Sequence, residues 1–204
     1  MPVNEVVSII KDLCLAGAAV TTATIAWRGV ESWRSELKGK ADFEVARGFI
    51  RATYQLRDAI EVCRSPWISA SEFPEGYPSS IGKRDAKEEG QAMAFVYGNR
   101  WDKVSTCIQE FDTATLEAEA LWGSEIEEKA KHFRRCVSEL RSAIESVIRD
   151  AYSGGEDFNS DREFAKEVRQ IVNSTKPDKN PLTLKINAAI SDIESNVRPH
   201  LSRS

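Results

Sequence analysis

The sequence predicts an all-α protein: a long-helix bundle with an antiparallel helical hairpin as its core and an N-terminal single transmembrane helix. Three observations lead there. Apolar residues recur at alternating intervals of three and four through most of the chain, and no run alternates residue by residue as a strand would. Proline and glycine gather at a few points, so the runs between them are long. One stretch, Leu13 to Trp27, carries no charge on any face.

At 204 residues the chain fits one domain with a small appendage, and a chain of that size buries roughly 70 % of its unfolded surface. The expected organisation is an N-terminal hydrophobic helix with a helical stalk over 1–40, a main bundle over 41–152, and a linker with C-terminal helices over 153–204.

Taken in order, the first helix is expected over Glu5 to Leu37, with Gly39-Lys40 as a shallow break, either a tight turn or a kink. The second covers about Phe43 to Arg64. Its apolar face is Ala46, Phe49, Thr53, Leu56, Ile60 and Cys63, while Glu44, Arg47, Arg51, Arg57 and Glu61 point elsewhere. That spacing reads as a partner-facing seam of the coiled-coil kind with a solvated back. Pro66 ends it, because proline drives the residue before it out of the helical region.

Residues 65–82 form the main irregular segment, with three prolines and two glycines. It carries Trp67, Phe73 and Tyr77, the candidate binding residues. Connections of this length are often functional; the plainer reading is that the aromatics tack the loop onto the bundle.

The third helix, about Asp85 to Trp122, keeps its apolar spacing from Ala94 through Tyr97, Trp101, Val104, Ile108, Phe111, Thr115 and Ala118. Gly90 and Gly98 weaken its start, and Gly123 stops it. Ser124 with Glu127 three residues on reads as a capping box opening the fourth helix. Its apolar face runs from Phe133 to Ala151 and completes the hairpin. Beyond Gly155 an acidic linker leads to a short helix, about Asp161 to Asn173. Asn180-Pro181 reads as the cap and first residue of a last helix reaching about Val197.

The uncharged run invites a membrane reading, although its 15 residues cover only roughly 23 Å of a hydrocarbon core about 30 Å thick. Thr21, Thr22 and Thr24 can bond back to the backbone, and Ala16, Ala19, Ala23 and Ala26 form a small-residue stripe. Trp27, Arg28, Arg34, Lys38 and Lys40 would flank the span, placing the C-terminal helical domain in the cytoplasm by charge bias. The competing expectation is a helix buried in the bundle of a cytoplasmic protein, uncharged because it is surrounded.

Chemistry is sparse. Net charge is −4, from 28 basic and 32 acidic side chains, and basic residues occur only in small pairs such as Lys83-Arg84 and Arg134-Arg135, which argues against nucleic acid. Cys14, Cys63, Cys107 and Cys136 form no C-x-x-C motif and read as small buried hydrophobes in a reducing compartment. The N-terminus lacks the form of a secretory signal. His132 reads as a surface residue and His200 as part of a frayed tail; neither has ligands at metal-site spacing. Glu110, Asp112, Glu117 and Glu119, with Glu125, Glu127 and Glu128, read as solvated faces rather than an acid-base pair. No phosphate-binding loop, dinucleotide fingerprint or nucleophile elbow occurs. Arg47, Arg51, Arg57 and Arg64 offer a minor anion-binding alternative to solubilising ion pairs.

The expected function is therefore non-enzymatic: a membrane-anchored helical protein acting through a protein partner or homo-oligomer, with no cofactor, no metal and no evident small-molecule substrate. The alternative is a soluble helical interaction or homo-oligomeric scaffold protein with the N-terminal helix buried in the bundle.

Overall fold

The computed structural model describes residues 3–77 and 85–201, with side chains described at Lys11 and from Leu15 onward. The expectations for Cys14, for Lys83-Arg84 and for residues 78–84 of the irregular segment fall outside these. The described residues form six α-helices: α1 Val3–Cys63, α2 Ala86–Trp122, α3 Ser124–Tyr152, α4 Glu156–Ser160, α5 Arg162–Val172 and α6 Pro181–Leu201. Two short 3₁₀ turns, Ala70–Glu72 and Pro177–Lys179, lie in the connections.

The break expected at Gly39-Lys40 is absent, and α1 is one helix of 61 residues. A lone helical glycine costs only about 1 kcal/mol, and an i,i+4 ion pair from Lys40 to Glu36 at 2.8 Å spans the position. By contacts the chain divides within α1, into Met1–Glu44 and Val45–Ser202.

The transmembrane expectation is corrected. Among the described residues no helix is long and apolar enough to cross a membrane. Extending the uncharged run towards 20 residues takes in Lys11 and Asp12 or Arg28 and Glu31, and within it Gly17, three threonines and small alanines dilute the apolarity. The membrane as partner and the single-pass localisation go with it. Burial in the bundle does not replace it, since every residue from 15 to 41 is exposed.

In the second unit the core begins at Ala46. Phe49 of α1 stacks on Phe111 of α2 at 5.5 Å between ring centres, and Phe111 meets Phe133 of α3 edge-on at 5.4 Å. All three rings are fully buried, each contributing on the order of 1.5–3 kcal/mol by leaving water. Ala165, Val168 and Val172 of α5, and Leu182, Ile186, Ile190, Ile193 and Val197 of α6, close the same core. Thr53 and Thr115, on the apolar faces and fully buried, donate their hydroxyls to the carbonyls of Phe49 and Phe111.

The coiled-coil reading of these faces is also corrected. Besides Ala46, Phe49, Thr53, Leu56, Ile60 and Cys63, α1 buries Ala52 and Ala59. Three buried positions per seven residues make a broad stripe enclosed by several neighbours, where a two-helix seam needs two.

α2 and α3 pack against each other as the expected hairpin, turned by a single residue, Gly123, at φ 84°. The turn is too tight for the capping box. Ser124 is already helical and α3 has no side-chain cap, while Glu127 reaches the Arg134 guanidinium at 2.9 Å. A capping box does form at Ser69 and Glu72, inside the segment read as irregular.

Gly90 and Gly98 part company. Gly90 is buried where the Tyr152 ring of α3 lies directly on its α-carbon, so a methyl group there meets the ring carbons; a Cβ at Gly98 meets nothing within 4 Å. Gly98→Ala is expected to raise stability by about 0.5–1 kcal/mol through helix propensity, and Gly90→Ala to lower it by displacing Tyr152. Paired thermal melts of the two variants check both signs.

Candidate functional site

Three features stand out once the helices are placed: an exposed apolar helix face, a pinned aromatic loop and a buried cation.

The first lies on α1. Ala16, Ala19, Ala23, Ala26, Val30, Trp33 and Leu37 follow one another at intervals of three and four without a slip, so they share one side of a continuous helix over roughly 32 Å. Leu15, Val20 and Trp27 flank the line, and all of these residues are exposed, Trp27 to 74 % and Trp33 to 62 %. Thr21, Thr22 and Thr24 donate to the carbonyls of Gly17, Ala18 and Val20 at 2.8–2.9 Å, which occupies the hydroxyl hydrogens within the helix. Arg28, Ser32 and Ser35 fall on the opposite side by helical spacing. Arg28, Arg34, Lys38 and Lys40 are exposed, with Lys40 paired to Glu36, and among the described residues no helix is long and apolar enough to be a span for them or for Trp27 to flank.

The second is the connection after α1. Arg100 of α2, its side chain 8 % exposed, donates Nε to Glu72 Oε2 at 2.6 Å and Nη2 to Glu72 Oε1 at 3.0 Å. It also donates to the carbonyls of Ser65 at 2.8 Å, Trp67 at 2.7 Å and Cys63 at 3.3 Å. The loop is thus held by its backbone. Of the three candidate binding residues, Phe73 and Tyr77 stack at 4.6 Å and are half-buried, whereas Trp67 is 84 % exposed. None of the three lines either of the two hollows described below.

The third is Arg64, whose side chain the sequence reading placed on a solvated face and which is 2 % exposed. Its guanidinium donates to the Ile171 carbonyl at 2.7 Å, Thr183 Oγ1 at 2.9 Å, Asn180 Oδ1 at 2.7 Å and the Gln170 carbonyl at 3.4 Å. Burial pulls its pKa down from the usual arginine value, yet it stays charged. The carbonyls belong to the last turn of α5, where the helix dipole is negative. Asn180 completes the knot: Nδ2 donates to the carbonyls of Gln170 and Asn173, and Oδ1 accepts the Thr183 amide as the expected cap of α6.

The remaining candidates are structural. Asp112 and Glu127, taken as separate solvated acids, converge on Arg134 at 2.6 and 2.9 Å. His200 is not frayed: α6 continues through Pro199 to Leu201, and the imidazole stacks on Trp122 at 4.2 Å. Cys63, Cys107 and Cys136 are free thiols, and burial pushes Cys63 up to about 11. A hollow of about 420 Å³ beside Met93, Tyr97 and Phe158 holds Glu89, Asp150 and Arg169. Asp150 there accepts the Phe158 amide at 2.8 Å, and Arg169 lies over the Phe158 ring. A second, about 400 Å³, lies between α3 and α6 beside His132 and Cys136, with Lys185 paired to Glu139 at 2.8 Å. Among the described residues no group of three or more His, Cys, Asp or Glu is placed to hold a metal.

Comparison with protein-family models, with curated proteins and with solved structures finds no match in any of the three.

Arg64→Met is expected to destabilise the second unit by about 3 kcal/mol, because it strands buried carbonyl and amide oxygens; Arg64→Lys does not restore it, lacking the planar fork. Chemical denaturation of both variants checks this. At the loop, the hydrogen bond from Arg100 holds the Glu72 carboxyl below the usual range, assisted by the Ser69 amide and opposed by partial burial. A lowered carboxylate pKa stabilises fully above the unfolded value of about 4.3 and loses that contribution as pH falls through the folded value. The Trp67 indole resonance should therefore shift as the loop loosens below about pH 4, and Glu72→Gln should show the loosened signal at neutral pH.

Proposed function

We propose that this chain is a helical interaction protein that works by contacting protein rather than by catalysis, with the apolar side of residues 15–37 as the surface it presents. The observation that carries the reading is the exposure of that side along its full length, tryptophans included. Isolated exposed apolar residues are ordinary, but a continuous apolar surface of this extent is the mark of an interaction site. Covering even half the area of Leu15, Val20, Trp27, Val30, Trp33 and Leu37 gains on the order of 5 kcal/mol, enough to drive association.

The second unit complements this role. Its core is closed by its own helices, and near the turn of α2 and α3 Arg134 pairs with Asp112 of α2 and Glu127 of α3. It supplies a folded body from which a long helix extends in sequence.

A photo-activatable amino acid at Val30 of the full-length protein, expressed in cells, is expected to give protein adducts on illumination, whereas the same label at Ser35 gives none. Adducts at both positions, or at neither, would remove the assignment of this side of the helix as the contact surface.

A further inference from the structure

We infer that the occupant of this helix face is a second copy of the same segment, running antiparallel, with each large residue seated on an alanine. The inference rests on the reading of residues 15–37 as a contact surface and concerns what covers it. The apolar line is divided by size: Ala16, Ala19, Ala23 and Ala26 come first, then Val30, Trp33 and Leu37. Two straight helices keep one separation along their contact, and that separation, about 8–10 Å, follows the side chains between them. In a parallel pair the alanines would face alanines and call for close approach, while Trp33 would face Trp33 and force the axes apart. No single separation serves both ends.

Antiparallel pairing removes the conflict. The register that sets Ala26 opposite Val30 of the second copy also sets Ala23 opposite Trp33 and Ala19 opposite Leu37, and the two-fold axis repeats each pair. Every layer then joins one large and one small residue, the condition for even filling of a helix interface. Slipping by two turns in one direction brings Val30 onto Trp33; slipping in the other sets Ala23 on Ala26 and Leu37 opposite the position of Asp12. The same register brings Trp27 beside Trp27 of the second copy on one flank, with Gly29 beside Gly29 on the other, so the bulky and empty flanks are each self-complementary.

The area suffices. Trp27 and Trp33, at 74 % and 62 % exposure, each offer on the order of 100–150 Å² when covered, from a full side-chain burial of about 150–250 Å². Four tryptophans with the aliphatic residues of both copies reach roughly 1,000 Å², the area that separates a biological interface from an incidental contact.

Light scattering on the full-length protein, with sedimentation to obtain Kd, tests this. Wild type is expected at twice the chain mass at concentrations of about 10–100 μM. Ala23→Trp, which sets tryptophan on Trp33, and Trp33→Ala, which leaves alanine on alanine, should each weaken association about tenfold or more. The double variant, exchanging the two sizes, should return to within about threefold of wild type. The bundle reports folding by circular dichroism in every case. A monomer across the range overturns self-pairing, and an unrescued double variant overturns the antiparallel register. Either result leaves the photo-adducts at Val30 to judge the contact surface itself, with adducts to another protein or to the chain's own bundle naming the occupant instead.

Discussion

A buried positive charge that makes no salt bridge among the described residues organises the C-terminal half of the bundle. Arg64 directly follows α1, and its four donations reach two carbonyls of α5 and two side chains at the start of α6. Desolvating a guanidinium is tolerable only when its donors are satisfied, and here the satisfaction comes from a helix terminus whose own carbonyls need donors. Each side thus supplies what the other lacks. The Arg64 carbonyl in turn accepts the Ser174 amide at 3.0 Å, so the backbone that follows α5 is tied to the same residue. Remove the charge, and the C-terminus of α5, the cap of α6 and the end of α1 all lose a partner together.

Arg100 applies the same chemistry to a different problem. The connection that follows α1 buries little apolar surface, with Trp67 pointing outward and Phe73 and Tyr77 contacting each other. A guanidinium fork that addresses three carbonyls and both oxygens of Glu72 gives the loop one geometry without a hydrophobic core of its own. Such a loop presents Trp67 on a defined backbone, which is a different state from a floppy tether with an aromatic on it. The N-terminal part of α1 is subject to the opposite constraint: its helix is regular and its apolar side is complete, yet nothing within the described chain covers it.

Much of this was legible in the residues. The hairpin of α2 and α3, the single-glycine turn, the Asn180 cap and the fully buried phenylalanines follow from periodicity and from the conformational habits of glycine, proline and asparagine. Arg64 was misread because its spacing sets it next to charged residues on a helix that otherwise shows a solvated back, and linear spacing carries no information about α5 and α6 arriving there. Ser124 and Glu127 had the right letters for a cap, but the reversal at Gly123 left no extended residue to serve as one. Gly90 looked like a weakness in a helix and is a seat for Tyr152, 62 positions along the chain. For Arg64 and Gly90 the deciding neighbour is distant in sequence.

The all-helical class and which side of each long helix is apolar were determined by the sequence alone, because they depend on contacts within a few residues and on a period of 3.6. What the tertiary structure decided was which apolar sides are used. The side of α1 from Ala46 to Cys63 disappears into a core, while the side from Ala16 to Leu37 stays open. Both show the same alternation of three and four. Burial depends on whether other helices come within reach, and no spacing along one helix can encode that.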